Sequence, residues 1–285
     1  SENVFISTKD EIIRTIKKAE NNSKIPFSVF KITGVASFDL LQKHQEQKTL
    51  TTAEEIEFEA SKNRVDEICK AAQNANVKIL VDAEETWIQD IIDAIVEEMM
   101  VKYNKEKAIV HNTIQFYRKN GIELLKTQHE NAIVGQYKYG VKMVRGAYME
   151  KERSRAEALS YKSPIHDTKL NTDNCYNDGI VYCLDNKTSI SLVAGTHNED
   201  SSKYLAKNTN FDDNIYFAQL FGMSDHISYT LSKAGYKVAK YVPYGPVKSV
   251  LPYLFRRAEE NTSVKGQTGR ELQLIKQELQ RRKKK

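Results

Sequence analysis

Seven short apolar runs recur along the chain, each closed by a polar side chain and followed by a longer stretch of helical periodicity. They are 27–33 (FSVFKIT), 77–82 (VKILVD), 108–112 (AIVHN), 141–145 (VKMVR), 190–196 (ISLVAGT), 215–220 (IYFAQL) and 236–242 (YKVAKYV). Between them lie amphipathic stretches such as 53–73, 86–103 and 169–184. Strands that are apolar almost throughout have both faces covered, and regular alternation with helices means a parallel sheet wrapped by them. No internal repeat and no low-complexity linker breaks the pattern, so residues 1–285 read as a single domain.

The polar residues at the strand ends narrow the architecture. Lys31 and Thr33, Asp82, Asn112 with Gln115, Arg145, Thr196 to Asn198, Gln219 and Tyr241 all fall where a run finishes. A doubly wound sheet collects chemistry at one switch point, whereas a TIM-type barrel collects it at the C-terminal end of every strand. The expected fold is therefore α/β, a distorted (β/α)8 TIM-type barrel. Only seven strands are visible and the first 26 residues read as a loop and a helix. The missing first strand is expected ahead of Ser1, supplied by a further segment or by a second chain. An open barrel of this kind would expose two sheet edges and favour self-association.

Composition excludes several classes. With 40% hydrophobic and 28% charged residues the chain suits a globular core, and no apolar run is long enough to cross a bilayer. Cys69, Cys175 and Cys183 lack metal spacing and read as reduced, buried thiols. The six histidines form no HExxH and no plausible ligand pair, so no metal is expected. Neither GxGxxG nor a P-loop occurs, and no GxSxG elbow supports a serine hydrolase. The net charge of +5 owes much to residues 276–285, KQELQRRKKK, which hold six Lys or Arg and one Glu. That run reads as a solvated helix end or as a contact with an anionic membrane; nucleic acid is disfavoured because no aromatic residues interleave it.

The chemistry concentrates in a few places. In 251–261, LPYLFRRAEEN, residues Tyr253, Arg256, Arg257 and Glu260 share one helix face. Paired guanidinium groups bind a carboxylate, and a glutamate one turn on can neutralise an ammonium, so the face matches a free amino acid. Alternatively Arg256 and Glu260 form an ordinary surface ion pair. Lys31, inside an apolar strand, either snorkels from the strand end or aims its charge into a barrel mouth, with Asp82 as a local anion. A Schiff-base role for Lys31 stays open. Gly146-Ala147 after a strand lets a flat ligand approach the backbone, and Thr168, Lys169 and Thr172 open a helix that can hold phosphate or simply be capped.

Taken together, VFKITG, LVDAEETWIQ, NTIQFYRKNG, VKMVRGAYMEKER, SPIHDTKLNTDNCY, AGTHN, FAQLFGMSDHIS and YVPYGPVKSVLPYLFRRAEEN resemble proline dehydrogenase, in its monofunctional form, across residues 27–261. The remaining 262–285 form a basic tail. The resemblance implies oxidation of L-proline to 1-pyrroline-5-carboxylate by hydride transfer to N5 of a non-covalent FAD, with electrons passed to a membrane quinone. It implies that Lys31, Arg256 and Arg257 hold the carboxylate, that Tyr241, Tyr253 and Leu220 wall the ring, and that Asp82 and Glu260 lie close to it. Gln115, Lys142, Val144, Arg145, Gly146, Ala147, Thr196, His197 and Asn198 match flavin-contacting positions, while Lys169 and Thr172 match the segment toward the pyrophosphate and adenosine. Lys142 stands where some members carry arginine, and the sequence around Gln219 departs from the bifunctional bacterial enzymes. The resemblance implies attachment at the periphery of a bacterial inner membrane, or of the mitochondrial inner membrane in a eukaryote, and the Lys/Asn-rich, Cys-poor composition favours the bacterial one. A non-catalytic barrel fragment that acts with a partner chain, and an aldolase built on Lys31, are the rival readings.

Overall fold

The computed structural model describes residues 2–211, 214–245, 247–248, 250–251, 253–255 and 276–283. Contacts divide the chain into two compact units, Ser1–Lys240 and Tyr241–Lys285. The first unit opens directly on helix α1 (Glu2–Ala19), with no leading loop among the described residues. There follow β1 (Phe27–Phe30), a 3-10 turn (Ile32–Gly34), α2 (Phe38–Gln45), α3 (Thr52–Asn74), β2 (Lys78–Val81), α4 (Thr86–Tyr103), β3 (Val110–Gln115) and α5 (Gly121–Val134). The chain continues through β4 (Tyr139–Val144), α6 (Met149–Ala158), α7 (Lys169–Asp185), β5 (Ile190–Gly195), α8 (Glu199–Lys207), β6 (Ile215–Leu220), α9 (Asp225–Lys233) and β7 (Val238–Tyr241).

The seven strands lie side by side in chain order, and each neighbouring pair from β1 to β6 is parallel. This is the α/β sheet expected from the alternation, rolled into a half-barrel of TIM type. The rolling is visible in one contact: Phe27 of β1 and Tyr216 of β6 meet edge to face at 4.7 Å, although four strands separate them in the sheet. Only a sheet curled on itself brings those rings together across its interior.

Register decides which residues face inward. Val29 lies opposite Leu80, Leu80 opposite His111, Thr113 opposite Lys142, Lys142 opposite Val193, and Val193 opposite Tyr216. Because side chains alternate, this set and every second residue from it line the concave face. Phe27, Val29, Leu80, Val193, Tyr216, Ala218 and Ala239 form a small apolar plug there. The other face carries the main core. Helix α4 supplies Ile88, Ile92, Ile95, Val96 and Met99 at helical spacing, all under 7% exposed. Each such side chain contributes about 1.5–3 kcal/mol by leaving water. Helix α3 begins where Thr51 and Glu54 exchange backbone bonds as a capping box.

Two strand boundaries differ from those read in the sequence, for local reasons. Strand β1 stops at Phe30, and Lys31 is the extended residue that opens the 3-10 turn. Strand β3 runs from Val110 to Gln115 because Asn104 holds the preceding segment as a loop: its carboxamide oxygen accepts from the N–H groups of Ile109 (3.0 Å) and Val110 (2.8 Å). Asn112 is thus in mid-strand, facing outward to Asp93 of α4 and Gln128 of α5, and is not a strand-end residue. The three cysteines are free and buried. In the second unit, Tyr241 and Tyr253 stack at 6.5 Å, and residues 276–283 are helical, with Glu278 paired to Arg281 and Arg282. Arg256, Arg257 and Glu260 lie outside the described residues.

Candidate active site

The inward alternation carries a set of charged and polar side chains to the C-terminal rim of the half-barrel. Lys31 and Asp82 follow two residues after Val29 and Leu80, so they continue the inner face. Lys142 comes from the middle of β4 and its ammonium is bonded to the Asp82 carboxylate, with both side chains largely buried. Gln115 and Val144 sit one layer higher on β3 and β4, and Leu220 ends β6. Lys31, Asp82 and Lys142, distant in sequence, are thereby gathered on one surface.

Lys31 donates to the Tyr148 hydroxyl at 2.7 Å. Its ammonium is only partly desolvated; that burial opposes the charge, but Tyr148, Glu84 and Asp82 outweigh it and hold the Lys31 pKa above the ordinary lysine value. Glu84 accepts from the N–H of Thr33 (3.0 Å) and from its hydroxyl (2.5 Å), which ties the turn after β1 to the end of β2. Burial raises the Glu84 pKa, against the pull of those two bonds. Tyr148 and Glu84 are the residues that pattern reading missed as site components. Tyr148 closes the VRGAY segment, but its reach to Lys31 spans 117 positions and has no signature in spacing.

The segment after β4 is shaped by Gly146. Its φ is +140°, and a Cβ there would run into the Tyr117 ring, so only glycine fits. Gly146 and Ala147 leave their backbone exposed at the rim. Gln115 braces this loop: its carboxamide oxygen accepts from Ala147 N–H (3.1 Å) while its Nε2 donates to Glu84 O (2.8 Å). Arg145 points away from the concave face, being of opposite parity to Lys142 and Val144. Its guanidinium bonds Asp173 of α7, Thr196 and Ser201 of α8, and lies over Tyr176 at 4.4 Å. Arg145 is accordingly a strut under the rim.

Around that strut two helices begin. Thr168 caps α7 and Asn198 caps α8 by accepting from Asn171 and Ser201 N–H groups. The Thr196 hydroxyl also accepts from Asn198 N–H, and His197 Nδ1 is 3.0 Å from the Ser224 hydroxyl. Thr172 is buried in α7 with its hydroxyl turned back to Thr168 O (3.4 Å), so the capping residue of this helix is Thr168 and Thr172 packs within it. Lys169 is exposed and paired with Asp173 at 2.5 Å. Gln219 is buried between Thr196 O and the Ser228 hydroxyl, a structural position.

Comparison with known proteins adds a family. The family model described as Proline dehydrogenase matches residues 2–270. The chain belongs to the proline dehydrogenase family. It is 40% identical over 257 residues to proline dehydrogenase 1, mitochondrial, of Arabidopsis thaliana, covering 86% of this chain and 52% of that one. It is 39% identical over 241 residues to the human protein of the same name, covering 81% of this chain and 40% of that one. The chain thus spans about half the length of these two relatives, or less. Among solved structures, proline utilization A (PutA) from Bdellovibrio bacteriovorus inactivated by N-propargylglycine superimposes with a TM-score of 0.80 at 21% identity, over 95% of this chain and 30% of that one. At that identity the likeness speaks for the fold.

Proposed function

We propose that the chain oxidises L-proline to 1-pyrroline-5-carboxylate as a flavin-dependent proline dehydrogenase, with the two units acting as one domain. The observation that carries this reading is the convergence of Lys31, Asp82 and Lys142 on the concave rim beside the open Gly146–Ala147 backbone. Lys31 is a fixed cation for a carboxylate, held in place by Tyr148. Asp82, shared with Lys142, supplies negative charge for the substrate nitrogen. The motif assigns Arg256 and Arg257 to the same carboxylate, and Tyr241, Tyr253, Leu220 and Glu260 to the ring and its nitrogen.

The rim fits a flavin. Gly146 has its side-chain position filled by Tyr117, so the loop presents bare backbone, and Gln115 fixes Ala147 beneath it. Val144, Gly146 and Ala147 would line the isoalloxazine with Lys142 and Gln115 behind them. The starts of α7 and α8, with Lys169, Thr196, His197 and Asn198, suit an anionic tail, since free N–H groups and the helix dipole favour anions. FAD, when bound, supplies the oxidant that takes a hydride from the ring carbon beside the nitrogen and hands its electrons to a quinone. The protein's share is orientation and charge: the clamp on the carboxylate fixes which ring carbon faces the cofactor.

Lys31 as a Schiff-base nucleophile fits poorly, because such lysines are activated by a lowered pKa and this one is raised. Peripheral contact with a quinone-bearing membrane belongs to the proposal too, whether bacterial or mitochondrial; no helix of the described residues is long and apolar enough to cross one. Proline-dependent reduction of a redox dye, with FAD supplied, tests the assignment. Lys31→Met loses a charge-assisted contact of about 1.5–3 kcal/mol, so kcat/KM should fall by about tenfold or more, chiefly through KM. Unchanged kinetics in that variant, or no proline-dependent turnover in the parent, overturn it.

A further inference from the structure

Strands β1 and β2 part where the rim begins. Their register ends at Phe30 opposite Val81, and Asp82 N–H adds one more bond to Phe30 O at 2.9 Å. Lys31 stands just past that bond and opens the 3-10 turn, which Gly34 N–H closes on Lys31 O at 3.0 Å. A second pair of bonds joins the two segments further on. One carboxylate oxygen of Glu84 accepts from Thr33 N–H (3.0 Å) and the other from the Thr33 hydroxyl (2.5 Å). Lys31 and Asp82 are thereby bracketed between two cross-links, the first from the strand ladder and the second from Glu84.

Glu84 is itself held on both sides. Its N–H donates to Gln89 Oε1 (2.6 Å) in the first turn of α4. Its carbonyl accepts from Gln115 Nε2 (2.8 Å), the side chain whose oxygen braces Ala147. Glu84 is 3% exposed, so its carboxylate is fixed by these backbone bonds and by Thr33 rather than free to swing into solvent. The residue thus divides by atom: its side chain anchors the turn of Lys31, and its carbonyl anchors the loop of Gly146 and Ala147. Removing the carboxylate would leave Thr33 N–H without its acceptor while leaving the bond to Gln115 in place.

We propose that Glu84 is a positioning residue for proline binding, an inference that rests on the function assigned above. Its carboxylate holds the turn so that the Lys31 ammonium meets the substrate carboxylate at a fixed place. Its carbonyl, through Gln115, sets the flavin loop against the same point. One buried residue thereby fixes the distance between the substrate clamp and the cofactor, and it does so without touching either. The side chain acts through Lys31, so its loss should appear in proline affinity and should need Lys31 to appear at all.

The test combines steady-state proline kinetics with FAD titration on the full chain and its variants. Glu84→Ala should raise KM by about tenfold, with kcat and FAD affinity held within about twofold because the carbonyl still accepts from Gln115. Glu84→Gln offers Oε1 to Thr33 N–H and its amide N–H to the Thr33 hydroxyl, and should return KM to within about threefold of the parent. In a Lys31→Met background, Glu84→Ala should change KM by less than about twofold. Thr33→Val removes only the hydroxyl bond and should raise KM by about threefold, which keeps the proposal testable if Glu84→Ala does not fold. FAD affinity lost in parallel with KM, a Glu84→Ala effect undiminished without Lys31, or an unchanged KM in Thr33→Val overturns the inference alone. A parent chain that does not turn proline over overturns the assigned function, and the inference with it.

Discussion

The Asp82–Lys142 pair shows how a single contact ties the site to stability. Both side chains are largely buried, so removing one leaves a charge in a medium that solvates it poorly. Asp82→Asn and Lys142→Met are each expected to cost about 3–5 kcal/mol in urea unfolding, and the double substitution distinctly less than the sum. Additive costs would mean that the two groups are not coupled. Asp93 makes the opposite kind of case. It accepts from Asn112 and Gln89 in a cavity between α4, α5 and the outer face of the sheet, lined also by Glu97, Tyr137 and Tyr139. Burial, opposed by those bonds and by Arg118, pushes its pKa up to about 6. A carboxyl raised above its unfolded value, about 4, stabilises most when protonated and loses that contribution as pH rises through the folded value. Asp93→Asn should therefore flatten the stability profile between about pH 4 and 6 and leave the protein more stable than wild type above it. A profile parallel to that of the wild type would contradict this. Residues such as Lys31 and Asp82 were legible in the sequence because an unexpected charge in an apolar strand is conspicuous. Asp93 was not, since an acid in an amphipathic helix looks like any solvated one.

At the scale of elements, the runs 86–103 and 215–220 were read at the bounds the structure gives, because turn residues and long apolar stripes mark both ends. What the sequence could not show is bracing between distant elements. Glu152 of α6 is fully buried and accepts from Thr86 N–H (2.8 Å) and hydroxyl (2.6 Å), which caps α4 from another part of the fold. Glu152→Ala strands that N–H and should cost about 1–3 kcal/mol. Arg145 belongs to the same category: it clamps α7 to α8 beneath the rim. The rim loop itself depends on Gly146. Gly146→Ala forces a Cβ into Tyr117, so it should displace the loop and weaken FAD binding by about tenfold or more without unfolding the helices around it. Circular dichroism and flavin titration separate those two outcomes, and unchanged FAD affinity would refute the role given to the loop.

For the molecule as a whole, the parallel α/β sheet followed from strand-helix alternation, while its curl needed contacts such as Phe27 with Tyr216. The C-terminal segment is less constrained by pattern: its arginines and Glu260 are assigned by motif alone. The basic run 276–285, helical over 276–283, bears on location. Deleting it should reduce binding to anionic vesicles by about fivefold for each basic residue held near the surface, at about 1 kcal/mol apiece, and unaltered binding would remove the membrane proposal. The most direct test of the central claim is the visible absorption spectrum of the purified chain with FAD, before and after anaerobic L-proline. The account predicts a protein-bound flavin band that bleaches on addition of proline. Absence of bound flavin, or a band that proline leaves unchanged, would contradict it.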